Sequence, residues 1–172
     1  MTIKSILIGT VLFSSGLAAM AGQAVAVQGA WARATVPGQK ATGAFMTLTA
    51  AEDSKLVGVE SSVAGVAEVH EMKLEGGIMR MRAVQGGLNL PAGTAVELKP
   101  GGYHVMLMDL KAPVAKNTTV PVTLVFKDAK GVESKVELQL PVSTQPPAGM
   151  AHPKEAKMDH GMHGAMPPKK TP

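Results

Sequence analysis

No stretch of ten or more residues between positions 25 and 143 carries the 3.6-residue apolar period of a helix, whereas short β-rich runs recur throughout. These runs fall at 25–33, 44–49, 55–61, 66–72, 78–82, 95–99, 103–110, 120–126 and 132–142. Between them stand turn-forming residues: Pro37-Gly38, Gly76-Gly77, Gly86-Gly87, Pro91-Ala92-Gly93, Pro100-Gly101-Gly102 and the segment 128–131. Strands this short and this evenly punctuated bury their alternate residues by facing one another across a layered or closed sheet. The spacing therefore predicts seven to nine strands in an all-β, antiparallel β-sandwich or barrel.

The two ends depart from this pattern. After Lys4 there is no charge until Arg33, and the apolar run from Ile6 to Phe13 is followed by small residues with A-x-A sites at 19–21 and 24–26. A basic start, a short apolar run and such sites are the marks of a secretory signal peptide, read here as residues 1–24 with cleavage between 21 and 26. The run falls short of the roughly 20 residues a spanning helix needs, so no membrane span is expected after cleavage. Residues 145–172 contain no Val, Ile, Leu or aromatic side chain. Such a segment buries too little apolar area to offset the entropy of ordering it, and is expected to be a flexible tail. The folded domain is then 25–144.

Composition narrows the chemistry. The chain has no Cys, which excludes disulfides, thiol catalysis, Fe–S clusters, thiolate zinc sites and blue-copper centres. Aromatic residues make up 3%, too few for base stacking, and the net charge of +4 is spread without a basic run, so no nucleic-acid partner is expected. Against these absences stand 12 Met and 5 His.

Strand parity gives those residues positions. The segment 70–82, HEMKLEGGIMRMR, should fold as a hairpin about Glu75-Gly76-Gly77. With Glu75-Gly76 as the loop, Met72 faces Met79, His70 faces Met81 and Glu71 faces Arg80; with Gly76-Gly77 as the loop, the pairing slides by one step on each strand. Either way His70, Met72, Met79 and Met81 share one face. In the run 103–110, His104, Met106 and Met108 point one way and Val105 and Leu107 the other, toward a core. The tail repeats the theme with Met150, His152, Met158, His160, Met162, His163 and Met166. Thioether sulfur is a soft ligand and imidazole an intermediate one, so the combination selects Cu(I), while the lack of carboxylates in the cluster leaves calcium and magnesium poorly served. Met46 and Met108 read as core filling, Trp31 as a core anchor and Arg33 as an ion-pair partner.

The sequence resembles the periplasmic copper chaperones of the PCu(A)C type, whose motif is His, ten residues, Met, about twenty-one residues, then His-x-Met. Here His70 is followed after ten residues by Met81, and after 22 more by His104-Val105-Met106, the extra residue falling in the loop-rich stretch 86–102. The resemblance extends through WARATVPGQKATGAFMTLTA, LPAGTAVELKPGGYHVMLM and VPVTLVF. It implies a cupredoxin-like Greek-key fold in a monomeric periplasmic protein that is not an enzyme. It implies Cu(I) held by His70, Met81, His104 and Met106, and leaves open whether Met72, Met79 and Met108 assist. The expected acceptor is the copper domain of cytochrome c oxidase subunit II (the CuA site), alongside a Sco-like thiol protein. A His/Met-rich extension such as residues 150–166 implies a second copper, Cu(I) or Cu(II). A copper-storage or resistance protein would use the same ligands and is the alternative.

Overall fold

The computed structural model describes residues 24–147. The expected signal segment lies, all but its last residue, outside these residues, as do the tail ligands from Met150 onward. The described chain forms ten strands: β1 (Val25–Arg33), β2 (Ala41–Ala50), β3 (Ser54–Glu60), β4 (Val66–Glu75), β5 (Ile78–Ala83), β6 (Leu88–Leu90), β7 (Ala95–Leu98), β8 (Tyr103–Met108), β9 (Thr119–Asp128) and β10 (Glu133–Ser143). They join one curled, cupredoxin-like sheet in the order β5-β4-β8-β7-β2-β1-β10-β9-β3-β6, with β8 also bonded to β2. No helix among the described residues is long and apolar enough to cross a membrane.

The all-β expectation holds, with two corrections. First, two pairings are parallel, β1 with β10 and β7 with β8, where a wholly antiparallel sheet was expected. Both are brief, and they join strands distant in sequence or separated by a turn too tight for a full ladder. Second, β6 is an additional strand of three residues between Gly86-Gly87 and Pro91. Its only periodic signal is Leu88-Asn89-Leu90, too short to read as alternation. Of the two hairpin registers left open by the sequence, the structure has the one with Gly76-Gly77 as the β4–β5 loop and Glu75 opposite Ile78. Both glycines have positive φ, 59° and 80°, as a type I′ hairpin turn requires, whereas Glu at the first position would be strained. Arg80 thus faces Lys73, and Glu71 faces Arg82. Glu75 takes up the charge, pairing with Arg82 and, at 3.9 Å, with Arg80.

The core follows from alternation. Val120, Val122, Leu124 and Phe126 of β9 point inward, met by Val136, Leu140 and Val142 of β10, Leu56 of β3 and Leu48 of β2. In β8, Val105 and Leu107 are fully buried as parity requires. Met46 is also buried, as expected of a core filler. A register shift between Gln28 and Trp31, with Gly29 at φ 65°, passes the core-facing role from Val25 and Val27 to Ala30 and Ala32, so Trp31, expected as a core anchor, is buried instead on the opposite face of the sheet, where its ring lies 4.8 Å from that of Phe45. Arg33 is placed differently from expectation. Its guanidinium stands 5.3 Å over the Phe45 ring, a cation–π contact in place of an ion pair.

Candidate metal centre

The sheet order β5-β4-β8 sets the two sulfur-and-imidazole groups side by side. In the β4–β8 ladder His70 stands directly opposite His104, and Glu68 opposite Met106. In the β4–β5 ladder Met72 faces Met81 and Leu74 faces Met79. Met108 lies farther along β8, opposite Val66 and Ala41. His70 and His104 are buried, Met72 and Met106 are partly covered, and Met79 and Met81 are about half exposed at 48% and 49%. The site thus grades from buried imidazoles to thioethers at the surface.

Hydrogen bonding fixes which nitrogen of each ring is uncommitted. A carbonyl can only accept, so the 3.0 Å contact of His104 with Gly102 O places the proton on Nδ1. In the neutral ring Nε2 then carries a lone pair, and it faces Met81 Sδ at 3.3 Å. Two lone-pair atoms facing one another with no proton between them are an unfavourable pair until an electrophile joins them. With bonds of about 2.0 Å to nitrogen and 2.3 Å to sulfur, a first-row metal ion bridging them would subtend an angle of about 100°, close to tetrahedral.

His70 is arranged the other way round. Its Nε2 lies 3.0 Å from Glu68 Oε2, while its buried Nδ1 has no hydrogen-bond partner. The centres of the two imidazoles are 6.1 Å apart, edge to face. A ring nitrogen sits about 1 Å from its ring centre and takes a metal at about 2 Å, so two imidazoles on one ion have centres up to roughly 6 Å apart. Among the described residues no group of three or more His, Cys, Asp or Glu could hold a metal ion. The further side-chain donors next to the two histidines are the thioethers of Met81, Met72 and Met106.

A cavity of about 330 Å³ opens beside His104, lined also by Met72, Met106, Phe45, Gly43 and Arg33. Gly43 keeps it open, since it stands opposite Met106 and a Cβ there would come 2.9 Å from Phe45 Cζ. Tyr103, next to His104, has its hydroxyl pushed above the ordinary value of 10.0, first by burial and then by the negative charge and hydrogen bond of Glu71.

One residue of this arrangement was missed in the sequence. The cluster was expected to lack carboxylates, but Glu68 stands on it, bonded to His70 and opposite Met106. Its signal was available in parity, because Glu68 lies two residues before His70 on the same strand and so on the same face.

Comparison with known proteins agrees with this architecture. The model of the family described as LpqE-like matches residues 25–142. The chain belongs to this family, the PCuAC type. The Leifsonia xyli subsp. xyli protein named "Putative lipoprotein Lxx21020" is 36% identical over 104 residues, which make up 60% of this chain and 63% of the relative. The chain thus spans under two thirds of that relative's length. Among solved structures, the CuI form of DR1885 from Deinococcus radiodurans superposes with a TM-score of 0.55 at 33% identity, over 72% of this chain and 83% of that one. The apo form of DR1885 gives 0.51 at 31% identity, covering 83% and 95%. The apo PCuAC domain of PmoF1, at 24% identity and a TM-score of 0.53 over 70% and 95%, shares the fold.

Proposed function

We propose that this PCuAC-type protein is a periplasmic copper chaperone that carries Cu(I) between His70, Met81, His104 and Met106 and delivers it to the CuA centre of cytochrome c oxidase subunit II, alongside a Sco-like thiol protein. The observation that carries the reading is the approach of His104 Nε2 to Met81 Sδ at 3.3 Å, two neutral donors facing each other with a second imidazole 6.1 Å away. A solved relative at 33% identity is titled as its CuI form, which supports copper as the cargo. Neutral imidazole and thioether donors suit a soft monovalent ion and leave Cu(II) less well served. The chemistry is ligand exchange: an acceptor that offers thiolate or further imidazole displaces the half-exposed Met81 first, and no covalent bond of a substrate is made or broken.

The tail fits a second role in the same reading. After export and removal of residues 1–24, the segment 145–172 presents Met150, His152, Met158, His160, Met162, His163 and Met166 on a tether, a second copper site that raises the local copper concentration at the domain. Removing 145–172 is expected to lower copper stoichiometry while leaving the high-affinity Cu(I) site intact.

The deciding experiment is a transfer assay from the Cu(I)-loaded full chain to a soluble oxidase copper domain. Copper movement to that domain supports delivery. Retention of copper against it, together with copper sensitivity of a deletion strain, would instead establish a storage or resistance protein.

A further inference from the structure

We infer that Glu68 is a positioning residue that selects the copper-binding nitrogen of His70, so that the two histidines present opposite nitrogens, Nδ1 of His70 and Nε2 of His104, to one ion. The inference rests on the copper site proposed above and adds to it a residue outside the His/Met set. A carboxylate oxygen accepts, so at 3.0 Å Glu68 Oε2 holds the proton on His70 Nε2 and leaves the lone pair on Nδ1. That Nδ1 is buried and has no partner, which is costly for a polar atom unless it is kept for a ligand. His104 shows the complementary choice, its Nδ1 proton given to Gly102 O and its Nε2 left facing Met81 Sδ. One imidazole is thus set by a main-chain carbonyl and the other by a side chain. A partner that accepts the remote ring proton fixes the tautomer and orientation of a metal-binding imidazole and strengthens it as a donor.

Placement makes Glu68 suited to this. It lies opposite Met106 and two residues from His70, so it touches the cluster from the side opposite Met72 and Met81. Its side chain is 45% exposed, so its replacement leaves no hole in the core. It also sets one negative charge beside a monovalent ion held by neutral donors.

The test uses the full-length chain labelled with ¹⁵N, since Cu(I) is diamagnetic and both ring nitrogens can be followed in apo and loaded protein. The apo protein should show His70 protonated on Nε2 and His104 on Nδ1. Adding Cu(I) should move the Nδ1 resonance of His70 and the Nε2 resonance of His104 while the opposite protons persist. Glu68→Ala should release the His70 tautomer and weaken Cu(I) binding by about 10- to 100-fold, whereas Glu68→Gln, whose amide oxygen accepts the same proton, should restore both. Cu(I) bound through His70 Nε2, or a Glu68→Ala protein with tautomer and affinity unchanged, would overturn the inference and leave the copper site standing. If Cu(I) moved neither histidine, the proposed site itself would fall, and the inference with it.

Discussion

Strands β9 and β5 belong to one continuous sheet yet are built from opposite materials. β9 lies inside, bonded to β10 on one side and β3 on the other, and buries Val120, Val122, Leu124, Val125 and Phe126. β5 is a sheet edge held only by β4, and Ile78 through Arg82 are all exposed. Each large side chain buried along β9 contributes about 1.5–3 kcal/mol, while β5 contributes little burial and instead lends Met81 to His104. Apolar burial on β9 and exposed thioethers on β5 thus fall to different strands, while β8 carries both roles on its two faces, Val105 and Leu107 in the core and His104 and Met106 opposite. The thioether proposed to release the ion stands on an edge strand.

Substitutions on the two sides should separate along this line. Phe126→Ala, in the deepest part of β9, is expected to lower stability by about 3–5 kcal/mol with Cu(I) affinity of the folded fraction preserved, as denaturant melts and competition titrations would show. Reduced affinity at full folding would break the division. His104→Ala should do the reverse at the site, lowering Cu(I) affinity more than about 100-fold in a tail-free chain, beyond the range seen for groups that merely support a ligand. Met81→Ala should weaken Cu(I) binding by about tenfold yet shift the melting midpoint by less than about 0.5 kcal/mol, because its side chain is half in solvent. An affinity unchanged by both His104→Ala and Met81→Ala would remove the site assignment.

The smallest effect lies at the seam between the two regions. Tyr103 ionises above 10 in the folded protein because of burial and Glu71. The unfolded chain loses that proton first, so the contribution is fully present below about pH 10 and is lost as pH rises through the folded value. It is the only tyrosine, so an ultraviolet titration reads it directly. Glu71→Gln should lower its midpoint toward the ordinary value without abolishing the part due to burial.

What the sequence disclosed follows the range of the forces involved. Alternation in 103–110 is local, and it placed Val105 and Leu107 inside and His104 and Met106 on the other face. The shared face of His70, Met72 and Met81 was legible for the same reason. The β4–β8 ladder was not, because it joins strands some thirty residues apart through side chains that carry no mutual pattern, and it is that ladder which puts His70 against His104. Glu68 was passed over because a carboxylate on a strand is usually a solvated one; parity sets it on the face of His70, and the 3.0 Å contact makes it a partner. The three-residue β6 lies below the length at which alternation can be recognised.

The irregularity that sets Trp31 beside Phe45 has an optical consequence. Trp31 is the only tryptophan, 2% exposed, and its ring lies 4.8 Å from Phe45, which lines the cavity shared with His104 and Met106. One unlabelled fluorophore therefore sits buried on the same sheet face as the wall of the candidate centre. Its emission will register both loss of the interior packing and any repacking of Phe45 when that cavity is filled, giving a single native signal through which loading and unfolding can be followed in the same cuvette.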